Sequence, residues 1–133
     1  MVRIHIKNGR LIDPAHEVDA IQDVFIAKGK IAGIGTMPEG FLASRVIDAH
    51  GLIVCPGLVD LSVRLREPGF EYKATLESEM AAAVAGGVTS LACPPDTDPP
   101  LDEPGLVEML KHRARNLNLA HVYPIGALTQ GLK

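Results

Sequence analysis

Hydrophobic and polar residues alternate at the start of the chain, and this alternation predicts short β-strands. Residues 2–7 read VRIHIK, which has the two-residue period of a strand. The pair Asn8-Gly9 follows, and residues 10–12 are again largely apolar. Because an Asn-Gly pair suits the positive φ angles of a tight turn, the pattern predicts a β-hairpin here.

A second hairpin is predicted from the same kind of pattern. Residues 23–27 and 30–34 are two strand-like runs joined by Lys28-Gly29, and another short strand is predicted around residues 46–48. We therefore expect residues 1–52 to form a unit built only of short strands and tight turns.

The pattern changes after residue 52. The run LIVCPGLVDLSVRL, residues 52–65, is almost continuously apolar and predicts a strand buried on both faces. A helix is predicted from about Thr75 to Ala85, with Thr75 as its N-cap and a Gly-Gly pair as its end. A second apolar strand is predicted over residues 88–93.

The remaining chain repeats this alternation of helix and strand. A second helix is predicted to begin near Asp102, and a third strand covers about residues 119–125. Residues 53–133 thus predict an α/β fold with a parallel sheet in the order β-α-β-α-β. A complete eight-unit barrel needs ~250 residues. We therefore expect the front part of a larger barrel, or an oligomer that covers the open sheet edge.

Composition and charge argue against several classes of partner. The net charge is −3 with 22% charged residues and no run of Lys or Arg, which argues against nucleic acid binding. No apolar run reaches the ~18 residues of a membrane span, and the N-terminus lacks a signal peptide's apolar core. Cys55 and Cys93 lie in apolar sequence and predict two core thiols rather than a disulfide framework, so a cytoplasmic location is expected.

The candidate chemistry lies where the first apolar strand ends. Asp60, Ser62 and Arg64 share one face of that predicted strand, because side chains at i and i+2 point the same way. In a parallel barrel such residues point inward at the carboxyl end, where active sites lie. Two histidines with this spacing could hold a divalent ion.

Three stretches of the sequence resemble the dihydroorotases of the amidohydrolase superfamily. They are GLIVCPGLVDLSVRLREPG, AGGVTSLACPPDTDP and YPIGALTQGL, and the resemblance covers essentially the whole chain. It implies that residues 1–52 are the N-terminal portion, about half, of a small β-sandwich domain. It also implies that residues 53–133 are the first three strands and two helices of a TIM (β/α)8-type barrel.

The metal-binding motif of that family is altered. The family pattern is Asp-x-His-x-His-x-Arg-Glu-Pro-Gly, and this sequence has Ser62 and Arg64 at the two histidine positions. A serine hydroxyl is a poor zinc ligand, and arginine has no acceptor and stays protonated. We therefore predict degenerate metal-ligand positions, no bound metal, no cofactor and no catalytic residue.

A second family motif is altered as well. Where the family commonly has Met-Pro-Asn-Thr-x-Pro, residues 94–99 read PPDTDP, so that Asp96 replaces an asparagine that helps to hold the substrate. The carboxylate of dihydroorotate would be repelled by Asp96. Two changes against one function, interpreted as independent, favour a protein that has lost catalysis.

Two arginines near these positions have alternative interpretations. The resemblance implies that Arg66 contacts the substrate carboxylate in active relatives, so Arg66 and Asp96 are interpreted as vestigial substrate-binding residues. The alternative for Arg66 is a structural arginine paired with an acid. Arg64 either holds an inward-facing carboxylate in place of the lost cation or is a solvated residue at the end of the strand.

The resemblance implies a role in pyrimidine biosynthesis. Non-catalytic homologues in some bacteria assemble with aspartate carbamoyltransferase, and we expect a structural or regulatory subunit of this kind. One alternative is an active, zinc-dependent hydrolase of cyclic amides that converts dihydroorotate to N-carbamoyl-aspartate with an altered site. Another is a small-molecule-binding module that uses the barrel mouth without chemistry.

Overall fold

Residues 2–133 are described by a computed structural model, in which the chain divides into two units, Met1–Pro56 and Gly57–Lys133. The first unit consists mainly of strands, as its alternating sequence predicts. Their bounds are β1 Arg3–Lys7, β2 Arg10–Asp13, β3 Val18–Ile21, β4 Val24–Ala27, β5 Lys30–Ile34, β6 Arg45–Asp48 and β7 Ile53–Val54, with a 3-10 turn at Pro14–His16.

The strands of the first unit form two sheets, and this contradicts the first predicted hairpin. One sheet has the order β5-β4-β1-β6 and the other has the order β3-β2-β7, so β1 and β2 do not pair. Asn8 has a positive φ of 64°, whereas the φ of Gly9 is not positive. A tight hairpin turn needs both, so the chain here passes from one sheet to the other.

The second predicted hairpin is confirmed. β4 and β5 pair antiparallel, with Ala27 opposite Lys30. Lys28 and Gly29 both have positive φ angles, 55° and 71°, as a two-residue turn between such strands requires. The two turns differ because β4 and β5 belong to one sheet, whereas β1 and β2 belong to two.

The second unit alternates strands and helices, so the predicted order β-α-β-α-β is confirmed and the fold is mixed α/β. β8, β9 and β10 form one sheet in the order β10-β9-β8, and both pairings are parallel. The bounds are β8 Leu58–Asp60, α1 Leu76–Ala85, β9 Val88–Cys93, α2 Pro104–Leu117 and β10 His121–Pro124.

The prediction of a single strand over residues 52–65 is wrong. The run contains β7, which pairs with β2 of the first unit, and β8, which pairs with β9 of the second unit. Residues 53–56, assigned from sequence to the second domain, therefore lie with the first unit. β8 is also exposed, because it pairs with only one strand within the described residues and its apolar side chains lack cover.

The first helix begins and ends where its sequence predicts, and α2 begins at Pro104, two residues after the predicted start. Thr75 caps α1 by accepting a hydrogen bond from Ser78 N at 3.2 Å, and Ser78 Oγ accepts one from Thr75 N at 3.0 Å. Gly87, at φ 82°, ends the helix in a conformation that other residues rarely adopt. The N-cap fixes where the loop from β8 enters α1, and Gly87 fixes where the chain leaves it for β9.

The core of the second unit lies between the sheet and its two helices. Its most buried side chains are Leu76, Met80, Leu91, Leu101 and Leu110. The predicted burial of the cysteines is confirmed for the residue at position 93 and is wrong for the one at position 55, which is exposed; both thiols are free. No helix within residues 2–133 is both long and apolar enough to cross a membrane.

Candidate functional site

The candidate site is formed by the two loops that follow β8 and β9. These strands are parallel neighbours, so their carboxyl ends lie at the same edge of the sheet. The loops contact each other directly, since Asp98 N donates to Pro68 O at 3.1 Å. A Cβ at Gly69 would lie 2.2 Å from Asp98 O, so only glycine allows this approach.

We expect Gly69→Ala to lower the free energy of unfolding by about 2 kcal/mol more than Gly87→Ala does. Both glycines have positive φ angles, but a Cβ at Gly87 would meet nothing within 4 Å. The comparison isolates the clash with Asp98, whose backbone oxygen cannot rotate away. Denaturant unfolding of the two variants measures it, and equal losses would contradict the close approach.

Asp60 forms the turn that ends β8. Its Oδ1 accepts a hydrogen bond from Ser62 N at 2.9 Å, and the Ser62 side chain is exposed. The backbone bends here, so the predicted regular alternation of Asp60, Ser62 and Arg64 along one strand face is wrong. The carboxylate of Asp60 has a local structural role at this point.

Arg64 and Asp96, from the two different loops, form an ion pair. Arg64 Nε donates to Asp96 Oδ2 at 2.6 Å, and the two side chains remain 52% and 42% exposed. Of the two interpretations of Arg64, the structure favours the one in which it holds a carboxylate. The two altered motifs, interpreted separately from the sequence, are therefore joined in one contact.

Arg66 is held in an unusual conformation beside this pair. Its φ is 66°, and its carbonyl accepts a hydrogen bond from Phe70 N at 2.9 Å. It lines a crevice of about 20 Å³ together with Arg64 and Asp96. Within residues 2–133 its guanidinium makes no ion pair with a carboxylate, so the acid required by the structural interpretation of Arg66 is not among these residues.

Glu67 is a buried charge that the sequence analysis did not single out. Its side chain is 4% exposed, and its Oε1 accepts a hydrogen bond from Leu76 N at the start of α1, at 2.7 Å. Its Oε2 makes an ion pair with Arg113 Nη2 from α2. Glu67 thus ties the loop after β8 to both helices. The signal in the sequence was its place beside Arg66 in a retained motif.

The residues at this site do not suit a zinc ion. Ser62 offers only a neutral hydroxyl, and Arg64 places a fixed positive charge where a cation would sit. Burial, and to a smaller extent the nearby Asp60 carboxylate, raises the pKa of the Cys93 thiol to about 12, so the thiol is protonated at neutral pH. Across residues 2–133 no group of three or more His, Cys, Asp or Glu side chains is placed to hold a metal.

Comparison with known proteins places this site in a family. A family profile described as "Dihydro-orotase-like" matches residues 51–133. A "Dihydroorotase-like protein" of Pseudomonas aeruginosa is 54% identical over 128 residues, covering 96% of this chain and 30% of that protein. A "Dihydroorotase" of Syntrophotalea carbinolica is 47% identical over 132 residues, covering 99% of this chain and 31% of that protein.

A solved structure has the same fold. The L-hydantoinase (dihydropyrimidinase) of Arthrobacter aurescens superposes with a TM-score of 0.77 at 30% identity, covering 96% of this chain and 28% of that one. The chain thus spans about 30% of the length of the relatives that it matches. Because the family profile matches well over half of its residues, the chain belongs to the dihydro-orotase-like family.

Proposed function

We propose that this chain is the N-terminal part of a dihydroorotase-like protein of pyrimidine biosynthesis that has lost catalysis. The observation that carries the proposal is the Arg64–Asp96 ion pair. In the family motifs, Arg64 stands at the position of a metal-binding histidine and Asp96 at the position of an asparagine that holds the substrate. The ion pair joins these two positions. Because these two residues bind each other, position 64 supplies no metal ligand and position 96 supplies no side-chain amide to hold the substrate.

The proposed role is a structural or regulatory subunit for aspartate carbamoyltransferase in the cytoplasm. It is supported by the similarity to the Pseudomonas aeruginosa protein, which is named "Dihydroorotase-like protein" and not "Dihydroorotase". In this proposal Gly57–Lys133 supplies the first three strands and two helices of a TIM-type barrel. Met1–Pro56 supplies the N-terminal portion of a small β-sandwich.

A second candidate is an active hydrolase of cyclic amides with an altered site. It is favoured by the relatives named dihydroorotase, one of them 47% identical, and by the retained run from Arg66 to Gly69. In this case the later strands of the complete protein would supply the metal ligands, and dihydroorotate would be hydrolysed to N-carbamoyl-aspartate.

We expect the longest natural chain that carries this sequence to purify with no stoichiometric zinc and to co-elute with aspartate carbamoyltransferase. Size-exclusion chromatography with and without the transcarbamoylase, followed by elemental analysis of the peak, measures both. The same chain, incubated with zinc and desalted, serves as the loading control. Close to one tightly held metal per chain would contradict the loss of catalysis, and separate elution would contradict the partner.

A further inference from the structure

The loop between β8 and α1 carries an exposed pair of aromatic side chains on one turn, residues 70–73, here named the aromatic turn. Tyr72 is 78% exposed, and Phe70 is only partly buried beside it. Their rings lie edge to face, with centroids 6.4 Å apart. A large aromatic side chain stabilises a fold or an interface only when it is buried, and in this turn that gain has not been made. The aromatic turn is therefore a candidate contact surface.

Hydrogen bonds hold the aromatic turn in one conformation. Phe70 N donates to Arg66 O at 2.9 Å, and Lys73 N donates to Phe70 O at 2.9 Å. Gly69 N donates to the two carboxylate oxygens of Glu71 at 3.1 and 2.9 Å. A turn that is already ordered loses little conformational entropy when a partner binds it, so more of the contact energy remains as affinity.

Lys73 is an ordered cation on this turn. Its Nζ lies 5.0 Å from the centroid of the Phe70 ring and 5.4 Å from that of the Tyr72 ring. Both distances fall within the ~6 Å over which an ammonium group is attracted to an aromatic ring. Among the ion pairs of residues 2–133 none includes Lys73. The turn thus presents a positive charge without a carboxylate partner, and this charge complements an acidic surface.

The aromatic turn lies where further strands of a barrel leave a loop accessible. Additional strands would pair with the open edges of the sheet at β8 and β10. The loops that follow the strands of an α/β barrel instead project from the carboxyl end of the sheet, at the surface. A separate protein can therefore reach this turn in a complete chain.

We propose that the aromatic turn is a contact surface for an acidic patch of a partner protein, with Tyr72 as its central aromatic contact and Lys73 as its cation. This inference rests on the proposed function, in which the partner is aspartate carbamoyltransferase, and it names the part of this chain that the partner contacts. Tyrosine is enriched among the few residues that dominate interface energies. A carboxylate of the partner binds the Lys73 ammonium group, which has three donors and no acceptor.

The test is the affinity of the complete natural chain for aspartate carbamoyltransferase from the same organism, measured by calorimetry at two ionic strengths. Tyr72→Ala is expected to weaken binding at least ~10-fold. Tyr72→Phe keeps the ring and is expected to weaken binding by less than ~3-fold. Lys73→Met is expected to weaken binding about 3- to 10-fold at low salt and to make the affinity less sensitive to salt, because salt screens an ionic contact.

Lys30→Met is the matched control, because it removes an exposed lysine of β5 that makes no ion pair within residues 2–133. It is expected to leave the affinity unchanged. Without the partner, each variant is expected to melt within ~1 °C of the unaltered chain, as an exposed turn allows. A larger drop for Tyr72→Ala would mean that the complete chain itself covers the turn. A change in the chain's own oligomeric state would mean that a second copy covers it, and either result overturns the proposal.

The same titrations separate this inference from the proposed function. If the unaltered chain binds the transcarbamoylase and both Tyr72→Ala and Lys73→Met bind it equally well, the aromatic turn is not the contact surface and the proposed partner stands. If the unaltered chain does not bind the transcarbamoylase, the proposed partner and the contact surface are both overturned.

Discussion

Arg113→Met is expected to lower the free energy of unfolding by about 3 kcal/mol, the lower end of the range for breaking a buried ion pair. The reason lies in its partner, because Glu67 is 4% exposed and would keep a buried charge with no cation beside it. Arg113 itself is 48% exposed, so solvent screens part of the pair. Denaturant unfolding of the complete chain measures the change.

Two further variants separate lost charge pairing from lost packing. Arg115→Met on the same helix removes an arginine that is 67% exposed, and its effect is expected to stay within ~0.5 kcal/mol. Adding Glu67→Gln to Arg113→Met is expected to recover part of the loss, because a neutral amide still accepts the hydrogen bond from Leu76 N. A loss below ~1 kcal/mol for Arg113→Met would show that the Glu67–Arg113 pair does not stabilise the fold as a buried ion pair.

The local elements of the second unit were predictable because their signals are short in range. The cap of α1 depends on Thr75 and Ser78, which are three residues apart, and the end of the helix depends on Gly87. Such contacts depend only on residues that are close together in the sequence. The Asn8-Gly9 hairpin failed because its outcome depends on β4 and β6, strands distant in sequence that take β1 into another sheet.

The candidate site was predictable in its parts but not in its connections. The motif positions of Arg64 and Asp96 were identified separately, and the residues are 32 apart in sequence. Only the parallel pairing of β8 with β9 brings the two loops to one edge and makes a single ion pair of them. Glu67 was missed for a similar reason, since its partner Arg113 lies on α2 and nothing local indicates burial.

The ion pair also changes what is expected of a repaired metal site. Replacing Ser62 and Arg64 with histidine removes the cation that Asp96 neutralises, and it leaves that carboxylate beside the imidazole at position 64. Arg64 Nε and Asp96 Oδ2 are 2.6 Å apart, and two ligand atoms on a tetrahedral zinc are ~3.3 Å apart. A small adjustment would let one zinc ion bind both the imidazole at position 64 and the Asp96 carboxylate.

We therefore expect Ser62→His with Arg64→His to bind zinc, and to bind it ~10-fold or more tightly than the same variant with Asp96→Asn added. The triple variant restores the family motif but discards a carboxylate ligand, so its zinc binding is expected to be weak. Competition with a chromophoric chelator, on the complete natural chain, measures both affinities. Arg64→Met with Ser62→His is the control that removes the cation without supplying a second imidazole.

Neither repaired variant is expected to hydrolyse dihydroorotate at the rate of an ordinary enzyme. The groups that orient metal-bound histidines typically matter ~10–100-fold each, and Asp60 is already engaged by Ser62 N at 2.9 Å. A misplacement of ~1 Å costs a further ~100-fold in rate. Turnover on the order of 1–1000 per second by the triple variant would mean that the rest of the site is intact. In that case the residues at positions 62, 64 and 96 would together account for the proposed loss of catalysis.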